Sequence, residues 1–206
     1  MDFSRRFFLS VGFAGVMAPL ISHAAEEMVI PTPAEAKMIA FMKDHDVAHF
    51  MMLNKQRGLL LYIVNSRITD AAPVLSGKMK GDNRRENLGV TPSGIFKLET
   101  LDDSDSIGFK KVKGTSIYYT IHPVLDIPGQ RREERLESMR PAWQRISSGC
   151  VNVALHTIAN IRGMMTMPQT FKDDKSAQQV TGSFFVVLPE LKPVESIFKY
   201  PEINAP

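Results

Sequence analysis

Apolar and polar positions alternate in several distinct rhythms along the chain, and each change of rhythm predicts an element. An apolar run over residues 7–21 follows Arg5 and Arg6 and ends in small residues near Ala24. Thr32-Pro33-Ala34-Glu35 combines a capping residue, a proline suited to the first helical turn and a Glu three positions after the Thr. That pattern predicts a helix from there to about Asp44. Short stretches rich in β-formers and bounded by turn residues follow at 49–53, 59–64 and 72–76, with 54–58 as the first turn. Residues 77–89 are polar and glycine-rich and read as a loop. Strands are expected at 95–101, after Thr91-Pro92-Ser93-Gly94, and at 116–121, ending at His122. The interval 124–146 is dense in Arg and Glu, 153–165 has helical apolar spacing, and 183–188 reads as a buried strand. Pro189, Pro193, Pro201 and Pro206 predict an extended surface tail. The fold class expected is mainly β with some α, built from a strand meander and a few helices.

Length and composition narrow this. A chain of 206 residues that is 44% hydrophobic can bury a real core, and one globular domain accounts for it. The net charge is +3 without a clustered basic stripe, which argues against a nucleic-acid surface. Residues 1–24 have the layout of an export signal: a charged start, an apolar run too short to span a bilayer, and a small-residue end. Ser4-Arg5-Arg6-Phe7-Phe8-Leu9 resembles the twin-arginine consensus, so the expected destination is the periplasm. No later segment is apolar for long enough to predict a membrane span.

The single cysteine rules out an internal disulfide. In an exported protein an unpaired thiol is normally absent or buried, so Cys150 is either a core residue or a reactive one. It follows a Ser147-Ser148-Gly149 turn and precedes the helical pattern. At a helix start, unpaired N–H groups and the dipole would lower the thiol pKa, and Gly149 would allow close backbone approach.

The motifs then point to one family. Asn54-Lys55-Gln56 in the early hairpin, Gly77, Thr91-Pro92-Ser93-Gly94-Ile95-Phe96, Ile121-His122 and Ser147-Ser148-Gly149-Cys150-Val151-Asn152 together resemble the L,D-transpeptidase catalytic domain, also called the YkuD domain. The resemblance runs from about His49 to Leu188 and implies a mixed β-sandwich with peripheral helices. It divides the chain into an export signal (1–24), a helix and linker (25–47), a catalytic domain (48–190) and a tail (191–206). The implied activity is thioester-forming acyl transfer on peptidoglycan stem peptides by a Cys150 nucleophile, with no metal or organic cofactor. By the same resemblance His122 is the base, oriented by the carbonyl of Pro123. Backbone N–H groups of Gly149 and Cys150 would stabilise the oxyanion, Ser147 and Ser148 would support the loop, and Asn152 would contact substrate or support the turn.

Two features depart from the family pattern. Ser148 stands where a histidine is usual, and the interval between His122 and Ser147 is longer than usual. That interval predicts either a lid carrying a substrate-binding arginine, such as Arg145, or a solvated helix with internal ion pairs. Hydrolysis by a carboxypeptidase or endopeptidase at the same site is the alternative activity. Readings from other classes are a metal site using His45 and His49 or the methionines, and an inactive wall-binding module.

Overall fold

The computed structural model describes residues 29–82, 89–101, 105–112, 114–173 and 178–198. The proposed export signal therefore lies outside the described residues. The chain is mainly β. Its strands are β1 (Phe50–Asn54), β2 (Leu59–Val64), β3 (Arg67–Pro73), β4 (Ser76–Gly77), β5 (Gly94–Lys97), β6 (Glu99–Thr100) and β7 (Ile107–Lys111). They continue with β8 (Tyr118–Pro123), β9 (Arg145–Ser147), β10 (Val151–Val153), β11 (Gln169–Asp173), β12 (Gln178–Gly182) and β13 (Phe184–Val187). The helices are α1 (Pro33–Asp44), α2 (Arg132–Glu137) and α3 (Leu155–Met165), and one 3-10 turn covers Val194–Ile197.

Two sheets organise these elements. A five-stranded sheet has the order β3-β2-β1-β13-β5, and a four-stranded sheet has the order β10-β8-β7-β6. The near-continuous apolar runs of β1, β2 and β13 follow from burial on both faces of the larger sheet. Because side chains alternate along a strand, Met51, Leu53, Phe185 and Val187 enter one core with Phe109, Ile121, Val151 and Val153 of the smaller sheet. Phe50, Met52, Phe184 and Val186 enter a second core with Met38 and Met42 of α1 and Phe171 and Val180 of the β11–β12 hairpin. The parallel register Met51↔Phe185 keeps both sets in phase.

Helix α1 starts as its sequence signals. Thr32 Oγ1 accepts from the Glu35 N–H at 3.3 Å, and the Glu35 carboxylate accepts from the Thr32 N–H at 2.6 Å. Glu35 is fully buried, and its charge is balanced by Arg57 Nη1 at 2.9 Å, with Asn54 Nδ2 donating at 2.8 Å. The cap therefore ties α1 to the first hairpin.

Several elements differ from the sequence expectations. β3 begins at Arg67, earlier than the expected 72–76 strand, because Asn65 and Ser66 both adopt positive φ and turn the chain straight back onto β2. Its polar residues sit on an exposed sheet edge, which hides the strand from an apolar pattern. The β11–β12 hairpin is likewise polar on one side and was not expected. Val153, expected to open a helix over 153–165, instead ends β10 beside β8, and α3 begins only at Leu155. The described part of the expected tail is pinned, since Val194 and Ile197 are buried in the second core, while Pro201 and Pro206 lie outside the described residues. Among the described residues no helix is long and apolar enough to cross a membrane.

Candidate active site

The site is assembled by the pairing of β8 with β10. The two strands run parallel with Val151↔Ile121, Asn152↔His122 and Val153↔Pro123 in register. Ile121, Val151 and Val153 are buried in the core between the sheets. Strand alternation therefore turns Thr120, His122 and Asn152 to the opposite face. Cys150, just before β10, comes level with Thr120, whose Oγ1 lies 3.5 Å from Sγ.

Hydrogen bonds define the protonation of the imidazole. Arg132 Nη1 donates to Asn152 Oδ1 at 2.5 Å, and a guanidinium can only donate. The amide nitrogen of Asn152 must then face the other way, where it lies 3.1 Å from His122 Nε2. Nε2 therefore accepts, and the ring proton sits on Nδ1, 2.7 Å from the Pro123 carbonyl oxygen. Donor sense passes unbroken from Arg132 through Asn152 and His122 to Pro123, an order that fits the Nδ1–H tautomer of His122.

Cys150 is partly buried, and burial alone would push its thiol pKa up. Hydrogen bonds with His122 and with the backbone N–H and hydroxyl of Thr120, together with the charge of a protonated His122 ring, outweigh this and hold it below the ordinary thiol value. The helix dipole invoked from the sequence is not the cause, since β10 intervenes between Cys150 and α3. The downward shift is the work of its strand neighbours.

The turn before Cys150 is tightly braced. Gly149 N–H donates to Ser147 Oγ at 3.0 Å, and Ser147 Oγ donates to the Cys150 carbonyl at 2.5 Å. Ser147 is buried and Ser148 exposed. The Gly149 N–H is thus engaged within the loop, a correction to its expected oxyanion role. Gly149 has φ +128°, and a Cβ there would lie 2.5 Å from Tyr119 Cε1 and 2.9 Å from the Val90 carbonyl oxygen. Only glycine fits this close approach.

Arg145 is placed elsewhere than expected. Its guanidinium forms a buried ion pair with Glu190 and donates to the Lys55 carbonyl at 3.3 Å. Lys55 Nζ, also buried, lies 3.7 Å from both Glu190 and Asp82 and donates to the carbonyls of Gly81 at 2.6 Å and Thr91 at 2.9 Å. Desolvation lowers the Lys55 pKa against the pull of the two carboxylates. Arg145 belongs to this charge network and is not an arginine of the site.

The arginine that reaches the site is Arg132, which the sequence offered only as one member of a charge run. Arg135 anchors its segment by donating to the Gln130 carbonyl and to the Trp143 carbonyl, each at 2.8 Å. The Trp143 ring lies 5.5 Å from the Arg131 guanidinium and 5.2 Å from that of Arg135. The segment is neither a free lid nor a wholly solvated helix. It is a braced excursion that delivers one guanidinium to Asn152. His45, weighed as a metal ligand, bonds through Nδ1 to the Phe41 carbonyl oxygen at 2.8 Å and stacks on Phe171. Among the described residues no three side chains of metal-binding type converge.

The fold and site define a mainly β domain with a cysteine–histidine pair at the edge of its smaller sheet. No family model and no curated protein sequence matches the chain. Among solved structures it is similar to the crystal structure of an L,D-transpeptidase from Xylanimonas cellulosilytica, with a TM-score of 0.37 and 17% identity over 68% of this chain. The match spans 60% of that structure's chain.

Proposed function

We propose that the protein is a cysteine acyl transferase of the L,D-transpeptidase type, acting on peptidoglycan stem peptides after export to the periplasm. The observation that carries this reading is the Cys150–His122 pair: a thiol held below its ordinary pKa by an imidazole that the Pro123 carbonyl orients. The motif resemblance supplies the substrate class, and the YkuD-like sandwich and the division into signal, linker, catalytic domain and tail belong to the same proposal.

Each step uses this chain's own groups. His122 takes the thiol proton at Nε2, which releases the Asn152 N–H it accepts at rest, and the thiolate attacks the carbonyl carbon of an L-centre at its bond to a terminal D-residue. Cys150 N–H is the proposed oxyanion donor, since Gly149 N–H is already bonded to Ser147. The imidazolium returns its proton to the leaving nitrogen as the C–N bond breaks, releasing the D-amino acid and leaving a thioester. An amine of another stem, or water, then resolves it.

The test is to incubate the signal-free protein and a Cys150→Ala control with isolated muropeptides and identify the products by mass. Joined stems mean transpeptidation, loss of the terminal residue alone means carboxypeptidase activity, and severed cross-links mean endopeptidase activity. Absence of all three, or their persistence in the control, overturns the proposal.

A further inference from the structure

Arg132 differs from Arg131, Arg135 and Arg145 of the same segment. Arg131 pairs with Glu134. Arg135 is held by two backbone carbonyls. Arg145 pairs with Glu190. Arg132 donates only to neutral oxygens, through Nε to Gln130 Oε1 at 2.7 Å and through Nη1 to Asn152 Oδ1 at 2.5 Å. Among the described residues it has no carboxylate partner, and Nη2 carries no hydrogen bond.

A half-buried guanidinium without a counter-ion is costly, and desolvation does lower the Arg132 pKa. The opposing influence is the charge of Cys150, so the cation lies within electrostatic reach of the sulfur. Its contact with Asn152, two residues from Cys150, fixes its direction, and its two neutral partners leave one edge of the planar fork for an incoming anion.

We propose that Arg132 is the specificity-determining residue of the site, binding a carboxylate that the substrate carries beside its scissile bond. The carboxylate is that of the terminal residue released by cleavage, which rests on the peptide acyl-transfer reading above. The site then selects donors whose scissile bond is followed by a free C-terminus and discriminates against chains that continue or end in an amide. Binding also gives the half-buried guanidinium a counter-ion, so recognition is coupled to partial relief of its desolvation.

Two measurements test this, on the signal-free chain and its Arg132→Gln and Arg132→Lys variants, with folding checked by circular dichroism. The first compares Cys150 alkylation by iodoacetate and by iodoacetamide, near-isosteric reagents that differ in charge, at about pH 9.5, where thiols are largely ionised. The iodoacetate/iodoacetamide rate ratio is expected to exceed that of free cysteine and to fall about tenfold in Arg132→Gln, the size of one charge-assisted hydrogen bond. Arg132→Lys should retain part of it. An unchanged ratio, including one in which both rates fall equally, overturns the proposal because Arg132 would then act only on the sulfur.

The second compares kcat/KM for a stem peptide with a free C-terminus against its C-terminal amide. Wild type should favour the acid, and Arg132→Gln should lose that preference. Cleavage of both peptides without preference overturns the inference and leaves the enzymatic reading standing. A charge-selective thiol that cleaves neither peptide overturns the enzymatic reading and leaves the anion site standing.

Discussion

Asn152 Nδ2 lies 3.1 Å from His122 Nε2 across the parallel β8–β10 pair, with Oδ1 of the same amide held by Arg132. Removing either side chain breaks the chain of donors at a known point. Asn152→Ala should remove a contact to the imidazole while leaving the Pro123 contact intact, and its Leu75 backbone bonds at 2.8 and 2.9 Å should survive. Activity is expected to fall by less than in His122→Ala, which deletes the proposed base and should cost on the order of 10²–10⁴-fold. Steady-state kinetics of both variants check the order.

The thiol should ionise below its ordinary range. Alkylation of Cys150 by iodoacetamide, followed by mass spectrometry across a pH series, should show a midpoint below that of free cysteine. Thr120→Val removes the hydroxyl donor and keeps the backbone one, so the midpoint should move up. The sign for stability follows. A depressed thiol pKa adds folding stability above the unfolded-state value and loses it as pH falls through the folded-state value. Relative to Cys150→Ala, wild type should gain melting temperature on the alkaline side.

Gly149→Ala should disable the turn. The new methyl would meet Tyr119 and Val90 at distances that real side chains do not adopt, at a φ that an L-residue reaches only under strain. A loss of about 1–3 kcal/mol is expected by urea denaturation, with activity lost alongside as the turn shifts.

Lys55→Met should destabilise the fold by about 3–5 kcal/mol, since it strands Asp82 and part of Glu190 without their cation. Pairing it with Asp82→Asn should recover some of that loss. Denaturation of the two single variants and the double variant measures the coupling.

Much of the larger sheet was legible in the amino-acid order. The runs of β1, β2 and β13 are apolar because both faces are covered, and the cap of α1 is a local signal needing only Thr32 and Glu35. Polar edge elements such as β3 and the β11–β12 hairpin were not legible, because their strand state comes from pairing and not from their own periodicity.

The order of residues by itself determined the chemistry on offer: one thiol, a histidine at a strand end, and a Ser-Ser-Gly turn ahead of the cysteine. Only the tertiary structure decided how these groups act. The register of β8 against β10 brings Thr120, His122 and Asn152 to one face, and no local pattern encodes a pairing between segments thirty positions apart. The arginines illustrate the same limit. Arg132 and Arg145 are chemically identical, and burial beside Glu190 directs one to structure while the other, with no carboxylate partner among the described residues, donates to Asn152. A side chain's charge is local, but what balances it depends on which distant segment packs against it.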